Sequence, residues 1–150
     1  MSRSIERLEL LLAKLSSIVS SIDEARFMNK PSPEKWSKLE ILGHLCDSAA
    51  NNHVRFTRIL TTDEPVTIEG YAQDEWVKRH GYQHHYRREE LLLLWNQLNV
   101  WILNMLRSAD ESEWAKRCEL GDGTSLTLDE LFEDYVRHAE HHLGQIREIR

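Results

Sequence analysis

The chain has 150 residues, 41% of them hydrophobic, which is enough to bury a continuous core in one domain over residues 1–150 without a disulfide or a structural metal. The formal net charge of −6, with no local run of Lys and Arg, makes nucleic acid and anionic membrane surfaces unfavourable partners. Cys46 and Cys118 lack CxxC spacing, and neither a signal stretch nor an apolar run of the ~20 residues that span a membrane occurs, so we expect a cytoplasmic protein with free thiols.

The first two predicted elements are amphipathic helices. One runs from Ile5 to Ile22, where apolar residues recur at spacings of three and four. Two prolines then interrupt the helix, and Ser37 with Glu40 forms a capping box that predicts the start of the second helix at Ser37. Its expected inward face comprises Ile41, Leu45, Ser48, Asn52, Phe56 and Ile59.

A long connection separates the second helix from the third. It covers roughly Thr61 to Arg87, which exceeds the lengths that join antiparallel neighbours in simple bundles. Such a segment is long enough to cross the bundle and let the two helices run parallel. The stretch "YAQDEWVKRH" within it favours a short extra helix.

The third and fourth helices complete an all-α four-helix bundle. The third is expected within "RREELLLLWNQLNVWILNMLRSA". Its predicted inward stripe is Leu91, Leu94, Trp95, Leu98, Ile102, Met105 and Leu106. A Gly-Asp-Gly turn predicts a small hairpin or an irregular turn, and a second capping box, Thr127 with Glu130, starts the fourth helix at Leu128.

The fourth helix carries three histidines in the segment "VRHAEHHLGQI". At about 100° per residue, His138 and His142 lie some 40° apart, while His141 points away. The Cβ atoms of an i,i+4 pair are about 5–6 Å apart, so both imidazoles can bind one metal ion without distorting the helix. An H-x-x-x-H pair is common by chance, however, and two ligands do not make a site.

His44 is the candidate third ligand, because it lies on the inward side of the second helix. A core histidine that hydrogen-bonds to a backbone carbonyl is the alternative interpretation of this residue alone. Other site types find no support: no histidine follows a Glu by three positions, as di-iron bundles require, and no H-E-x-x-H, P-loop or G-x-S-x-G motif occurs.

Two segments carry a resemblance to a known family. "PEKWSKLEILGHLCDS" and "TLDELFEDYVRHAEHHLGQI" resemble the histidine-bearing helices of the DinB-like, YfiT-type metal-binding four-helix bundles, and "YAQDEW" is similar to a segment of their crossover. The resemblance implies an up-down-down-up bundle, a divalent metal bound by His44, His138 and His142, and a homodimer.

The resemblance also implies an activity, since members are described as metal-dependent hydrolases and some relatives as thiol-dependent transferases or isomerases. We therefore expect a hydrolase that uses Zn²⁺ or Ni²⁺ to activate water for attack on a small molecule. A thiol-dependent transferase or isomerase at the same metal, and a non-catalytic metal-binding or sensing bundle, remain alternatives.

Several other polar residues are weaker candidates. Asp47, Asn51, Asp134 and Gln145 could orient a ligand ring or a bound water, although solvated helix-face positions are the simpler interpretation. The crossover histidines, His80, His84 and His85, are expected to be exposed. Cys46 lies about 200° around the helix from His44 and is not expected at the same metal. The tryptophans are expected mainly to pack in the bundle or at an interface.

Overall fold

In the computed structural model, which describes residues 3–148, eight helices and three short strands follow one another along the chain. They are α1 (Arg3–Ser21), α2 (Glu24–Met28), α3 (Lys38–Leu60), β1 (Val66–Ile68), α4 (Gln73–His80), α5 (Tyr82–His85), α6 (Arg88–Arg107), α7 (Glu111–Trp114), β2 (Arg117–Leu120), β3 (Ser125–Thr127) and α8 (Leu128–Arg147). The long helices α1, α3, α6 and α8 form the predicted four-helix bundle.

Both predicted capping boxes are present and fix where the two histidine-bearing helices begin. Ser37 Oγ accepts from the Glu40 amide at 3.1 Å, while the Ser37 amide donates to Glu40 Oε1 at 3.0 Å. Thr127 and Glu130 make the same reciprocal pair at 3.1 and 2.9 Å. Each pair satisfies backbone donors that the first helical turn cannot satisfy itself.

The helices α3 and α6 run parallel, as the long crossover allows. Near their beginnings the Cys46 thiol donates to the Leu91 carbonyl at 3.2 Å, and near their ends the Thr57 hydroxyl lies 3.4 Å from Met105 Sδ. The crossover therefore returns the chain along the whole bundle, and the predicted extra helix within it is α4.

The other two long helices, α1 and α8, run antiparallel to α3 and α6. Arg88, at the start of α6, donates to the carbonyl of Val19 near the end of α1, while Arg107, at the end of α6, donates to Glu9. The start of α3 contacts the end of α8 in the same reversed sense, through the histidines described below. The course is up-down-down-up, as the family resemblance implied.

A three-stranded sheet, in the order β1-β2-β3, packs against α3 and α8. The predicted hairpin is β2 and β3, with Gly123 at φ 86° in the turn, a conformation that L side chains rarely adopt. The strand β1 was not predicted, since three residues give too short a pattern; it pairs in parallel with β2, with Val66 opposite Cys118. This pairing attaches the crossover to the connection before α8.

The predicted stripe of the third helix is wrong at one position. Leu94 is 47% exposed, whereas Asn99 and Leu103 are buried. The run of four leucines supports several helical phases, and contact with α1 and α3 selects the face that contains Trp95 and Ile102. Both cysteines are free and buried. Over residues 3–148, no helix combines the length and the apolar character needed to cross a membrane.

Candidate metal centre

The structure brings the three predicted histidines together at one end of the bundle. Nε2 of His44 and Nε2 of His142 each lie 3.1 Å from Nε2 of His138. The candidate ligand atoms of the three residues all lie within 4.8 Å of one another. His44 is fully buried, and His138 and His142 are half-buried.

Hydrogen bonding alone does not account for this convergence. Nδ1 of His142 lies 2.7 Å from Gln145 Oε1, which can only accept, so Nδ1 carries the hydrogen and Nε2 presents a lone pair. Nε2 of His138 holds either one hydrogen or one lone pair, and it can therefore form only one hydrogen bond along its two short contacts. A cation among the nitrogens satisfies both contacts at once.

The geometry and chemistry of the three imidazoles fit a divalent ion. Nitrogens that each lie about 2.1 Å from one ion are roughly 3.0–3.4 Å apart for octahedral to tetrahedral angles, and the two observed separations are 3.1 Å. Imidazole suits Zn²⁺, Ni²⁺ and related ions, and three protein ligands leave coordination positions open.

Burial keeps the imidazoles neutral, which is the form that binds a metal. It lowers the pKa of His44 to about 3 and that of His138 to about 4, and the neighbouring imidazoles add to both shifts. Burial also lowers the pKa of His142, against the opposing effect of its hydrogen bond to Gln145. All three rings are therefore available as ligands at neutral pH.

A buried lysine fastens the two histidine-bearing helices together. Lys38, in the first turn of α3, donates to the carbonyls of Gln145, Ile146 and Glu148 at 3.2, 2.5 and 2.5 Å. These carbonyls lie in the last turn and at the C-cap of α8, where backbone carbonyls lack the i+4 amides that continue a helix, so the ammonium group caps the helix together with the Glu148 amide, which donates to the Gln145 carbonyl at 3.2 Å. The start of α3 is thereby held against the end of α8, which aligns His44 with the pair on α8.

Trp36 forms one wall of the site. Its ring centroid lies 4.7 Å from that of His44 and 6.4 Å from that of His142. The indole limits the orientations of both rings and excludes water from one side of them. Sequence reasoning assigned Trp36 to packing; its position one residue before the N-cap of α3 is the signal that could have placed it beside His44.

A second polar cluster lies one helical turn after His44 on α3. Asp47 is buried, and its Oδ1 accepts from the Tyr82 hydroxyl at 2.6 Å and lies 3.3 Å from His80 Nδ1. Burial raises the pKa of Asp47, and the hydrogen bond from Tyr82 opposes this shift. Gly43 makes room for Tyr82, because a Cβ there would meet its ring at 2.2 Å.

The weaker candidates are distributed as follows. Gln145 contacts His142, whereas Asn51 donates to the Asp47 carbonyl within its own helix and Asp134 pairs with Arg137 at 3.1 Å. His141 is exposed and outside the cluster, as predicted.

The crossover histidines are exposed too, and of them His80 reaches Asp47. The Cys46 thiol faces Leu91, away from the site.

A cleft of about 230 Å³ adjoins the histidines. His138 lines it together with Ser48, Arg55 and Tyr71. A larger cavity of about 410 Å³, beside Trp36 and Gln145, includes none of the three histidines. The cleft at His138 is therefore the better candidate for the substrate. Sequence reasoning missed Arg55 and Tyr71, because nothing in their spacing links the crossover to α3.

Comparisons with known proteins identify the family and the fold. The sequence profile of the DinB superfamily matches residues 7–146. A Halalkalibacterium halodurans protein named "Putative metal-dependent hydrolase" is 25% identical over 144 residues, which cover 96% of this chain and 82% of that protein. The "Putative metal-dependent hydrolase YfiT" of Bacillus subtilis is 25% identical over 146 residues, which cover 97% of this chain and 81% of YfiT.

Solved structures share the fold. YfiT, described as "a probable metal-dependent hydrolase with an unusual four-helix bundle topology", superposes with a TM-score of 0.85 at 24% identity, over 96% of this chain and 82% of YfiT. The mycothiol-dependent maleylpyruvate isomerase superposes with a TM-score of 0.75 at 17% identity, over 97% of this chain and 60% of that one. Since the profile match spans nearly the whole sequence, the chain belongs to the DinB superfamily.

Proposed function

We propose that the protein is a metal-dependent hydrolase whose divalent ion, Zn²⁺ or Ni²⁺, is bound by His44, His138 and His142. The observation that carries the proposal is the convergence of three neutral imidazoles beside an open cleft. The names of the two relatives support the same reaction class.

The residues of the chain have distinct roles in this proposal. When bound, a divalent ion supplies Lewis acidity, which polarises a carbonyl group and lowers the pKa of water toward about 7. Gln145 fixes the tautomer of His142 so that Nε2 offers its lone pair. Trp36 shields His44 from solvent, and His138 faces the cleft through which a small-molecule substrate enters.

The test is hydrolysis by metal-loaded protein that was purified without an affinity tag. Ester and amide substrates should be cleaved by the wild type and by His141→Ala, which alters an exposed histidine on the same helix. They should not be cleaved by His44→Ala or by wild type stripped of metal with a chelator. Equal rates in His44→Ala and His141→Ala would contradict the proposal.

A thiol-dependent transfer or isomerisation is the second candidate. The fold likeness to a mycothiol-dependent isomerase favours it. Cys46 and Cys118 are buried, and burial raises the pKa of both thiols, so the reacting thiol would come from a cosubstrate. Turnover that requires an added low-molecular-weight thiol would select this candidate over hydrolysis. Inactivity with ester, amide and thiol-conjugate substrates would favour a metal-binding or sensing role.

We also propose that the protein acts as a homodimer. Leu93, Leu94, Val100 and Trp101 are exposed and lie on one face of α6. Light scattering should give the mass of two chains for the wild type and of one chain for Trp101→Glu. A wild-type protein that is monomeric at micromolar concentration would contradict this proposal.

A further inference from the structure

The cleft beside the histidines extends along α3 to an arginine. Arg55 lies eleven residues after His44, about 16 Å along the helix axis, on nearly the same face. Arg55 and His138 line the same cleft, and Tyr71 from the crossover and Ser48 from α3 form part of its wall. A molecule in the cleft can therefore meet a fixed positive charge and the histidine site together.

Arg55 is a half-buried cation without a carboxylate partner. Its Nη2 donates to the Glu69 carbonyl at 2.6 Å, and its guanidinium carbon lies 5.8 Å from the centre of the Tyr71 ring. No ion pair found over residues 3–148 includes Arg55. A guanidinium has five N–H donors, so donors remain for a ligand, and burial strengthens their attraction for an anion.

A neighbouring arginine, Arg58, makes a similar contact with the crossover and provides a matched control for Arg55. Arg58, one turn later on α3, also donates to a crossover carbonyl, that of Thr67 at 3.5 Å. Arg58 is exposed and does not line the cleft that contains His138. Both arginines therefore donate to a backbone carbonyl of the crossover, but only Arg55 lines the cleft that contains His138.

We propose that this cleft binds a small molecule with a single carboxylate group, which Arg55 holds while the reacting bond lies toward the three histidines. The location of the reacting bond depends on the proposed function; the carboxylate site itself does not. Guanidinium and carboxylate match in planar, bidentate geometry.

Charge and size both favour a small monocarboxylate. Asp134 lines the same cleft, and the chain carries a net charge of −6, so a second negative charge on the ligand would be repelled. The volume of about 230 Å³ is below the roughly 300–1,000 Å³ of sites for drug-sized ligands. A short carboxylic acid bearing an ester or amide group fits both limits.

Binding to the metal-free protein tests the carboxylate site separately from catalysis. Propionate, its uncharged analogue propionamide and inorganic phosphate are titrated at constant ionic strength, with affinity measured from NMR chemical shifts. Propionate should bind the wild type and Arg58→Gln equally, and Arg55→Gln about tenfold more weakly or worse. Propionamide should bind the wild type as weakly as propionate binds Arg55→Gln.

The guanidinium signal of Arg55 in the wild type provides a reading that does not depend on the stability of a variant. This signal, assigned by its loss in Arg55→Lys, should shift with propionate and stay unmoved with propionamide. An unmoved signal with propionate, unchanged affinity in Arg55→Gln or tighter binding of phosphate would each overturn the proposal. If the metal-loaded wild type shows no hydrolysis while the metal-free wild type binds propionate as expected, only the proposed function is contradicted.

Discussion

The contact between α3 and α8 has two ends of opposite character. At one end the rings of Phe132 and Tyr135 pack edge-on against Phe56, with centroids 5.7 Å apart in both pairs. At the other end the facing rings are imidazoles, and two buried polar atoms, His44 Nδ1 and Asp47 Oδ2, have no hydrogen-bond partner among residues 3–148. The same two helices thus stabilise the fold at the aromatic end and leave binding capacity at the histidine end.

The largest expected effect comes from the aromatic end. Phe132→Ala removes a fully buried ring and should lower the free energy of unfolding by about 3–5 kcal/mol, measured by urea denaturation. The exposed Val54→Ala should change it by less than about 0.5 kcal/mol. Folded Phe132→Ala should still bind metal; loss of metal binding would show that the two ends are not separable.

Gly43→Ala should destabilise the histidine end through its second polar cluster. The new Cβ would lie 2.2–2.6 Å from atoms of the Tyr82 ring, whose hydroxyl is held by Asp47. We expect a loss of about 1–3 kcal/mol in urea unfolding. Gly144→Ala should instead stabilise α8 by about 0.5–1 kcal/mol, because apart from its chain neighbours and the backbone of its own helix no atom of the described residues lies within 4 Å of the new Cβ. Equal effects of the two substitutions would refute the steric explanation.

Gln145→Leu should weaken metal binding with little effect on stability. It removes the acceptor that orients His142, and such partners are typically worth about 10–100-fold in metal affinity. Gln145→Glu keeps an acceptor and should retain most of the affinity in a competition titration with a chromophoric chelator. Wild-type affinity in Gln145→Leu would mean that the packing around His142 orients the ring by itself.

A further expected effect is a pH dependence of the metal-free protein. Folding holds the pKa of His44 near 3 and that of His138 near 4, whereas the unfolded chain takes up these protons near pH 6.5. The free energy of unfolding should therefore be unaffected by these two histidines above about pH 6.5 and should fall as the pH drops from there toward about 3. The free energy of unfolding, measured by urea denaturation, should differ less between pH 7 and pH 5 in a variant with both histidines changed to Gln. If that difference is unchanged in the variant, groups other than His44 and His138 cause the pH dependence.

The sequence predicts the elements of the fold well where patterns are long. Capping boxes and apolar periodicity locate α3 and α8, and the length of the crossover allows the parallel pair α3 and α6. The short elements β1, α2, α5 and α7 were not predicted, because three to five residues carry too little periodicity and depend on tertiary contacts. Leu94 was misplaced because four consecutive leucines leave the helical phase open.

The site is predictable only in part, for a physical reason. Helical spacing pairs His138 with His142, but His44 depends on how the start of α3 meets the end of α8, a contact held by Lys38. No local pattern connects residues of the crossover with those of α3. Arg55 and Tyr71 consequently became visible only in the folded chain.

The most direct test of the account is a metal titration read through Trp36, whose ring lies 4.7 Å from His44. Co²⁺ should quench tryptophan emission of the wild type and of His141→Ala, saturating at about one ion per chain, with little quenching in Trp36→Phe. His142→Ala should show no saturable quenching at the same concentrations. Unchanged stoichiometry in His142→Ala, or no saturable binding by the wild type, would contradict the three-histidine metal site.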